Sequence, residues 1–366
     1  MGPRTGLFHL LRKSGGVGEI RASDVDFVYR LLLGRNPESL EIVEHWRRTG
    51  LPLETLAGNV LKSEEFAARW NARASGLEDT PVPSSEELAL LHRHARAVAG
   101  DPDHVTNFLG VRTRIAFLPG LASAGGLVEG LPIPWNFHGD LLEWLGSLRA
   151  VDEARGRFVA VELGAGWGPW LVSTAVVARR RGIETVHLVG VEADPGKLAF
   201  LDAHMRDNGL DPARHTLLEA VVAARDGWAR FPVQRDPSQD WGAAAIEGTA
   251  TAVDPSRSGD HLVEVKAISL ATLLDRFERV DLVHCDIQGD EVRTLDAGFD
   301  TLQSKVRRIV IGTHGRDLEE ELFRLLAGGG WRLEGEKACR RAQEGRRIGL
   351  VQDGVQVWAN PNLQRR

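Results

Sequence analysis

The residues best suited to binding chemistry cluster in Val161-Glu162-Leu163-Gly164-Ala165-Gly166-Trp167-Gly168-Pro169-Trp170, where an acid precedes three alternating glycines and a proline. Glycine lets a backbone turn sharply and approach a ligand closely. Proline favours the first position of a helix, whose N-terminus presents unpaired N–H groups. Twenty-four residues beyond Gly168, Glu192 closes the next apolar run in GVEADP. Nucleoside-binding α/β folds put there an acid that accepts hydrogen bonds from ribose hydroxyls. A dinucleotide fingerprint reads G-x-G-x-x-G, so that pyrophosphate reaches the helix N-terminus. Here the order is Glu-x-Gly-x-Gly-x-Gly. An acid before the glycines repels pyrophosphate but pairs with the cationic amino group of a methionine moiety, so the pattern points to S-adenosyl-L-methionine ahead of NAD. A tight βα turn with no ligand is the bland alternative. Ala165 and Ala193 lie within the two loops and are read with them as cofactor-binding positions.

Further candidates follow along the chain. Glu219 and Ala220 stand after the third apolar run, where an adenine would lie, and Gly227 opens a hairpin over Trp228 to Val233. Ser238 to Gly242 form a polar loop with one aromatic, Trp241, which either closes over the cofactor or anchors the loop. Asp286 ends the fourth apolar run and His314 follows the fifth, at the carboxyl ends where doubly wound sheets bind ligands. His314 is the first choice for a base because imidazole is neutral near pH 7, with Asp286 orienting it, binding cofactor or acceptor, or serving as base itself. The bland readings are a helix-capping Asp286 and a loop histidine. Asp286, Asp290 and Glu291 form an oxygen-rich group that suits magnesium, although Asp290 and Glu291 also open a helix, where the dipole favours carboxylates, and the metal-free reading is preferred. His138 and Asp140 in WNFHGD are a second polar pair, more readily read as capping residues, beside Trp135 and Phe137, which suit either a sugar face or a core.

The elements needed to hold these residues are legible as short apolar runs alternating with helical stretches, the pattern of βαβ units and a parallel sheet. The runs are Phe158 to Val161, Val186 to Val191, His215 to Val222, Val280 to Cys285 and Arg308 to Gly312, with a terminal pair at Trp331 to Glu334 and Val355 to Trp358. Pro169 and Pro195 open helices, and Arg179 to Arg181 suit a solvated C-terminal helical turn. Upstream, Val25, Phe27, Val28, Leu31 and Leu32 recur at helical spacing until Gly34 and Pro37, and helices are expected at Leu53 to Leu61 and Glu64 to Trp70, the last capped by Ser63. The organisation expected is a tail over 1–22, a small helical accessory module over 23–73, a linker and helix over 74–100, an N-terminal extension or lid over 101–150 with an amphipathic helix through Leu141, Leu142, Trp144 and Leu145, and a catalytic domain over 151–366.

Composition limits the function classes. The chain has 366 residues, 43% hydrophobic and 26% charged, with a formal charge of −6. The acidic balance argues against nucleic acid as a partner. No apolar run approaches the ~20 residues needed to span a bilayer, so no stable membrane insertion is expected. The short apolar stretch near the start makes a secretory signal an unfavoured expectation, and Gly6, where Ser or Thr is needed, argues against myristoylation. Cys285 and Cys339 are too few for a disulfide framework, which points to a cytoplasmic setting. The oligomeric state stays open, a homo-oligomer included.

HCDIQGDE, residues 284–291, resembles the D-[IV]-[EQ]-G-x-E signature of FkbM-family methyltransferases. VELGAGWG, VEADP, EAVVAARDGWARF, SLATLLDR and IGTHG carry the resemblance over residues 157–360, with Ala193 where a proline is common and Asp290 where a small residue is frequent. It implies an α/β, Rossmann-like class I sheet of seven strands, mostly parallel with the last antiparallel, preceded by a small all-α module. It also implies transfer of a methyl group from S-adenosyl-L-methionine to a hydroxyl of a sugar, a glycan or a glycosylated or polyketide-like metabolite. Phe27-Val28-Tyr29, Leu31 to Pro37, Trp46 and Ser63 to Phe66 resemble a short helical domain of unknown function found with glycan-processing enzymes, implying a docking partner for residues 23–70. The competing readings are methylation of an amine or nucleic acid, weakened because DIQG stands where DNA amino-methyltransferases carry D/N-P-P-Y/F, and an inactive scaffold, weakened by the intact Glu162, glycines, Glu192 and Asp286.

Overall fold

The computed structural model describes residues 20–33, 37, 39–63, 83–133, 135–239, 241–243, 261–344 and 347–364. Most of the expected tail, the helix at Glu64 to Trp70, the linker over 74–82, Gly34 and Asp240 lie outside the described residues. The chain divides into two compact units, one of residues 1–110 and 125–141 and the other of 111–124 and 142–366.

In the first unit, helices α1 (Ala22–Leu33), α2 (Leu40–Arg48) and α3 (Leu53–Leu61) bring Val25, Val28, Leu33, Val43, Leu56 and Val60 together in one apolar cluster. Their apolar residues recur at three- and four-residue spacing, which places them on one face of each helix. Helix α4 (Ser85–His94) starts at a capping box, with the Ser84 hydroxyl accepting from Glu87 N–H and the Glu87 carboxylate accepting from Ser84 N–H. The unit is not wholly helical, because Trp135–Asn136 pairs with Gly139–Asp140 in a tight antiparallel ladder.

The second unit is built on a nine-stranded sheet. Its strands are β1 (Arg157–Leu163), β2 (Thr185–Glu192), β3 (Thr216–Ala223), β4 (Gly227–Val233), β5 (His261–Ser269), β6 (Leu282–Cys285), β7 (Arg308–Thr313), β8 (Arg332–Lys337) and β9 (Gly354–Ala359). Their order across the sheet is β8-β9-β7-β6-β1-β2-β3-β5-β4. The centre is parallel, while β9 runs antiparallel to β7 and β8, and β4 antiparallel to β5. Central strands buried on both faces read as continuous apolar runs, which is why β1, β6 and β7 stand out in the sequence.

Seven strands were expected and nine are present. β5 and β4 extend the edge beyond β3, and the expected hairpin at Gly227 takes a different form because β5 lies between β3 and β4. The physical reason is a second apolar cluster, in which Val221, Ala229, Phe231 and Val265 are buried together. This cluster needs β5 to close it.

Helix α5 (Leu141–Glu153) lies close on the sheet. A Cβ on Gly146 would sit 2.7 Å from Val310 and 2.9 Å from Val357, and a Cβ on Gly335 would sit 2.8 Å from Leu142. The helix is tied at its end by the buried Arg308, which pairs with Glu153 and Glu334. Pro169 opens α6 (Pro169–Arg180), and Pro195 opens α7 (Pro195–Asp207), where the Asp194 carboxylate accepts from Gly196 and Lys197 N–H. Five helices follow among the described residues: α8 (Leu270–Leu274), α9 (Glu291–Ala297), α10 (Phe299–Lys305), α11 (Arg316–Gly328) and the short α12 (Pro361–Gln364). No helix among the described residues is long and apolar enough to cross a membrane, and Cys285 and Cys339 are buried free thiols.

Candidate active site

The carboxyl ends of β1, β2, β6 and β7 gather the charged side chains picked out from the sequence. Between β1 and α6, Gly164, Gly166 and Gly168 have φ of 74°, 54° and 68°, the left-handed region that disfavours side chains. Each also faces a close neighbour. A Cβ would meet the Asp286 carbonyl oxygen at 2.0 Å from Gly164, the Trp241 ring at 3.2 Å from Gly166 and Leu201 at 2.2 Å from Gly168. The alternating glycines are therefore required twice, by backbone conformation and by contact.

Two carboxylates flank this loop in dry surroundings. Glu162 is 2% exposed, accepts the Leu171 N–H at 3.0 Å and is pushed up to about 8 by burial, against the pull of His284 and of helix N–H groups. Glu192 accepts from Gly166 N–H and Asp194 N–H, each at 2.8 Å, and burial raises it above the usual carboxylate range. A carboxylate has about four acceptor sites, so each keeps capacity for a ligand. Desolvated carboxylates beside a backbone cradle fit a ligand carrying an ammonium group and vicinal hydroxyls.

Trp241 packs against the loop. Its ring is 4.8 Å edge-on from Trp167, its Nε1–H donates to Ser238 O at 2.9 Å, and Lys197 Nζ lies 4.7 Å from its centroid. Glu219 and Ala220 lie within β3 rather than after it; Glu219 is exposed and stands beside Glu192 in the β2–β3 register, while Ala220 is buried. Ala165 and Ala193 are buried within the loops that hold Glu162 and Glu192.

The β6 and β7 ends form a second group. Asp286 leaves β6 into a turn whose Gln288 has φ of 57° and whose Gly289 has φ of 108°. Glu291, fully buried, locks that turn by accepting from the N–H groups of Ile287 and Gly289, each at 3.1 Å. His314 Nδ1 lies 3.0 Å from Glu291 and its Nε2 3.3 Å from Asp286 Oδ1. Gly312 makes room beside Asp286, since a Cβ there would lie 3.1 Å from Oδ2.

The charge state of His314 is set by its two carboxylate neighbours. Burial alone lowers it, but Asp286 and Glu291 outweigh burial and raise it to about 10. A value near 10 favours the cationic imidazole near pH 7. Conversely, although burial pushes Asp286 up, His314 holds its carboxyl below the usual range. Asp286 is ionised and 36% of its side chain is exposed.

The expected acidic group also changes membership. Asp286, Glu291 and His314 offer ligand atoms within 4.8 Å of one another. Asp290 instead pairs with Arg293 at 2.9 Å. Since Glu291 already accepts two backbone N–H groups, the protonated imidazole answers the charge of this group. His138 belongs to the first unit, where its Nδ1 is 2.6 Å from Glu129.

Three side chains in the site carried no sequence signal strong enough to pick them out. His284 on β6 registers with Glu162 on β1, and its Nε2 lies 3.1 Å from Glu143 on α5. Asp353 precedes β9, is raised by burial and is drawn down by His314. A polar residue inside an apolar strand, as in Leu-Val-His-Cys, was the available clue to His284.

No protein-family profile matches the chain. A protein of Jannaschia sp. (strain CCS1), provisionally named a methyltransferase, is 35% identical over 271 residues, spanning 74% of this chain and 96% of that protein. Among solved structures, the precorrin-6Y C5,15-methyltransferase of Geobacter metallireducens GS-15 is similar with a TM-score of 0.32 and 13% identity, over 58% of this chain and 86% of that one. The ribosomal protein L11 methylase of Lactobacillus delbrueckii subsp. bulgaricus is similar with a TM-score of 0.29 and 11% identity, over 60% and 80% of the respective chains.

Proposed function

The chain belongs to a methyltransferase family, and from that premise we propose that it is an S-adenosyl-L-methionine-dependent O-methyltransferase acting on a hydroxyl of a sugar, a glycan or a glycosylated or polyketide-like metabolite. The observation that carries the cofactor reading is the pair of desolvated carboxylates, Glu162 and Glu192, on either side of a loop whose three glycines have positive φ. Glu162 would take the ammonium group and Glu192 the ribose hydroxyls. Trp241 would cover the loop.

When bound, S-adenosyl-L-methionine supplies an electrophilic methyl group on a sulfonium. Asp286 would accept a hydrogen bond from the acceptor hydroxyl and take its proton as oxygen–carbon bond formation replaces the sulfur–carbon bond. His314, held between Glu291 and Asp286, would fix the Asp286 carboxylate and keep it ionised. Alignment of the reacting atoms supplies much of the rate in such a displacement. The resemblance of the DIQG turn to the FkbM signature favours a hydroxyl acceptor, and residues 23–70 would serve as a docking module.

Two measurements test this. Calorimetry with S-adenosylhomocysteine is expected to show one site on the folded chain, and no binding would sink the cofactor reading. Mass spectrometry is expected to show methyl addition to members of a sugar panel, lost in Asp286→Asn; transfer only to amines would overturn the acceptor class.

A further inference from the structure

Glu162, which the proposed function assigns to the ammonium group, lies beside His284, and His284 beside Glu143, two ionisable side chains that the proposed chemistry does not use. His284 is 3% exposed and stacks on Trp170 at 5.0 Å, with 23° between the rings. Trp144 meets Trp170 edge-on at 4.7 Å and closes the other side. His284 Nε2 lies 3.1 Å from Glu143 Oε1, while its Nδ1 is buried with no hydrogen-bond partner among the described residues. Parallel pairing of β1 and β6 sets His284 directly beside Glu162. The charged groups facing His284 are Glu143 from α5, Glu162 from β1 and Asp286 at the end of its own strand. Those facing Glu162 are His284 and Asp286.

Burying His284 and Glu162 side by side, with Glu143 at their edge, is costly unless the charges are paired. Packing alone is served by an apolar residue at each position. The tight seating of α5, which depends on the bare Gly146, fixes Glu143 against β6. We infer that Glu143 and His284 are positioning residues acting through Glu162, so that the cofactor's amino group is recognised by a Glu143–His284–Glu162 array rather than by Glu162 alone.

The inference rests on the cofactor reading above. Glu162 must be ionised to hold an ammonium group, yet burial pushes it up to about 8. His284 opposes that push. Although burial lowers His284, Glu143 and then Glu162 and Asp286 raise it above its ordinary value, which favours the charged ring beside Glu162. Ligand binding near neutral pH therefore expels the Glu162 proton. Affinity rises with pH until Glu162 is ionised, and removing the His284 charge moves that rise to higher pH.

The test is calorimetry on the full chain, comparing wild type, His284→Gln and Glu143→Gln with two ligands from about pH 6 to pH 9.5. S-adenosylhomocysteine carries the amino group; 5′-methylthioadenosine lacks it and reports only the adenosine site. Titration of the ligand's own amino group is common to all three proteins and cancels in the comparison. In His284→Gln, S-adenosylhomocysteine should bind about tenfold more weakly near pH 7, with the rise displaced upward by about one pH unit, since one unit corresponds to tenfold. Glu143→Gln should shift it in the same direction by less. Binding of 5′-methylthioadenosine should stay within about twofold, because a positioning pair acts only where the amino group is read. An unchanged profile for S-adenosylhomocysteine overturns the inference, as does an equal loss for both ligands, which reports structural damage. Failure of the wild-type chain to bind either ligand overturns the cofactor reading itself.

Discussion

The two halves of the carboxyl edge handle buried charge in opposite ways. At the ends of β1 and β2, Glu162 and Glu192 are carboxylates whose burial is answered by backbone N–H groups and one histidine, and both are raised. At the ends of β6 and β7, Asp286 and Glu291 enclose His314, which burial would lower but which the two carboxylates raise to about 10, while Asp286 falls below its ordinary value. The first half has cationic neighbours too weak to offset burial, since His284 and Lys197 leave both carboxyls raised. The second already contains its cation and keeps a carboxylate ionised and half-open to an acceptor. On the proposed function, the first half would serve the cofactor and the second the reaction, a division of labour that mutation can probe.

The largest effect is expected on the reaction side. Asp286→Asn removes the proposed proton acceptor while preserving shape, and turnover should fall by about 10²- to 10⁴-fold, the usual contribution of a general base. Affinity for S-adenosylhomocysteine should change by less than about tenfold. Steady-state kinetics alongside calorimetry separates the two, and a large loss of affinity with intact turnover would break the proposed division.

Gly164 joins the halves, because a Cβ there collides with the Asp286 carbonyl at 2.0 Å and φ is 74°. Gly164→Ala should cost about 3 kcal/mol, as strain and clash combine. The comparison is Gly209→Ala, with φ of 71° in open space, expected to cost about 1 kcal/mol from conformation alone. Denaturant unfolding of both variants gives the difference; equal losses would remove the argument from contact.

Stability should respond with opposite signs in the two halves. Glu162→Gln removes a desolvated ionisable group and should gain about 1 kcal/mol at pH 8, together with loss of cofactor binding. His314→Gln removes the internal cation and should lose about 2 kcal/mol at pH 7. The pH windows differ as well. Glu162 moves from its ordinary 4.5 to about 8, so the folded state holds the extra proton and stability falls as pH rises through that interval. His314 moves from 6.5 to about 10, so its stabilisation is complete below 6.5 and fades as pH rises toward 10. Glu162→Gln should flatten the lower window and His314→Gln the upper one in urea unfolding against pH. Two variants with the same sign would dissolve the contrast.

This contrast marks where sequence reading succeeds and where it stops. Pro169, Pro195, the glycine alternation and the apolar runs of β1, β2, β3, β6 and β7 are local signals, and they placed the parallel core and the carboxyl edge. The β5 strand escaped because its burial depends on partners in β3 and β4. The charge of His314 was unreadable because Glu291 is 23 residues away in sequence, and Glu143 is 141 residues from His284. Residue type identifies a titratable group; only the fold supplies the neighbours that decide its charge.

The smallest expected effect tests whether the first half also depends on its aromatic cover. Trp241 touches the loop at Gly166, meets Trp167 at 4.8 Å with the rings perpendicular, and is tied to Ser238 through Nε1. Trp241→Ala should weaken S-adenosylhomocysteine binding by about tenfold, the scale of one well-placed aromatic contact. Trp241→Phe should recover most of that loss, because the ring remains while the tie to Ser238 is gone. Turnover at saturating cofactor should be unchanged in both, since neither substitution reaches Asp286 or His314. A fall in saturated turnover would mean that the cover helps align the reacting methyl, and the two halves would then be coupled through Trp241 as well as at Gly164 and the Glu162–His284 pair.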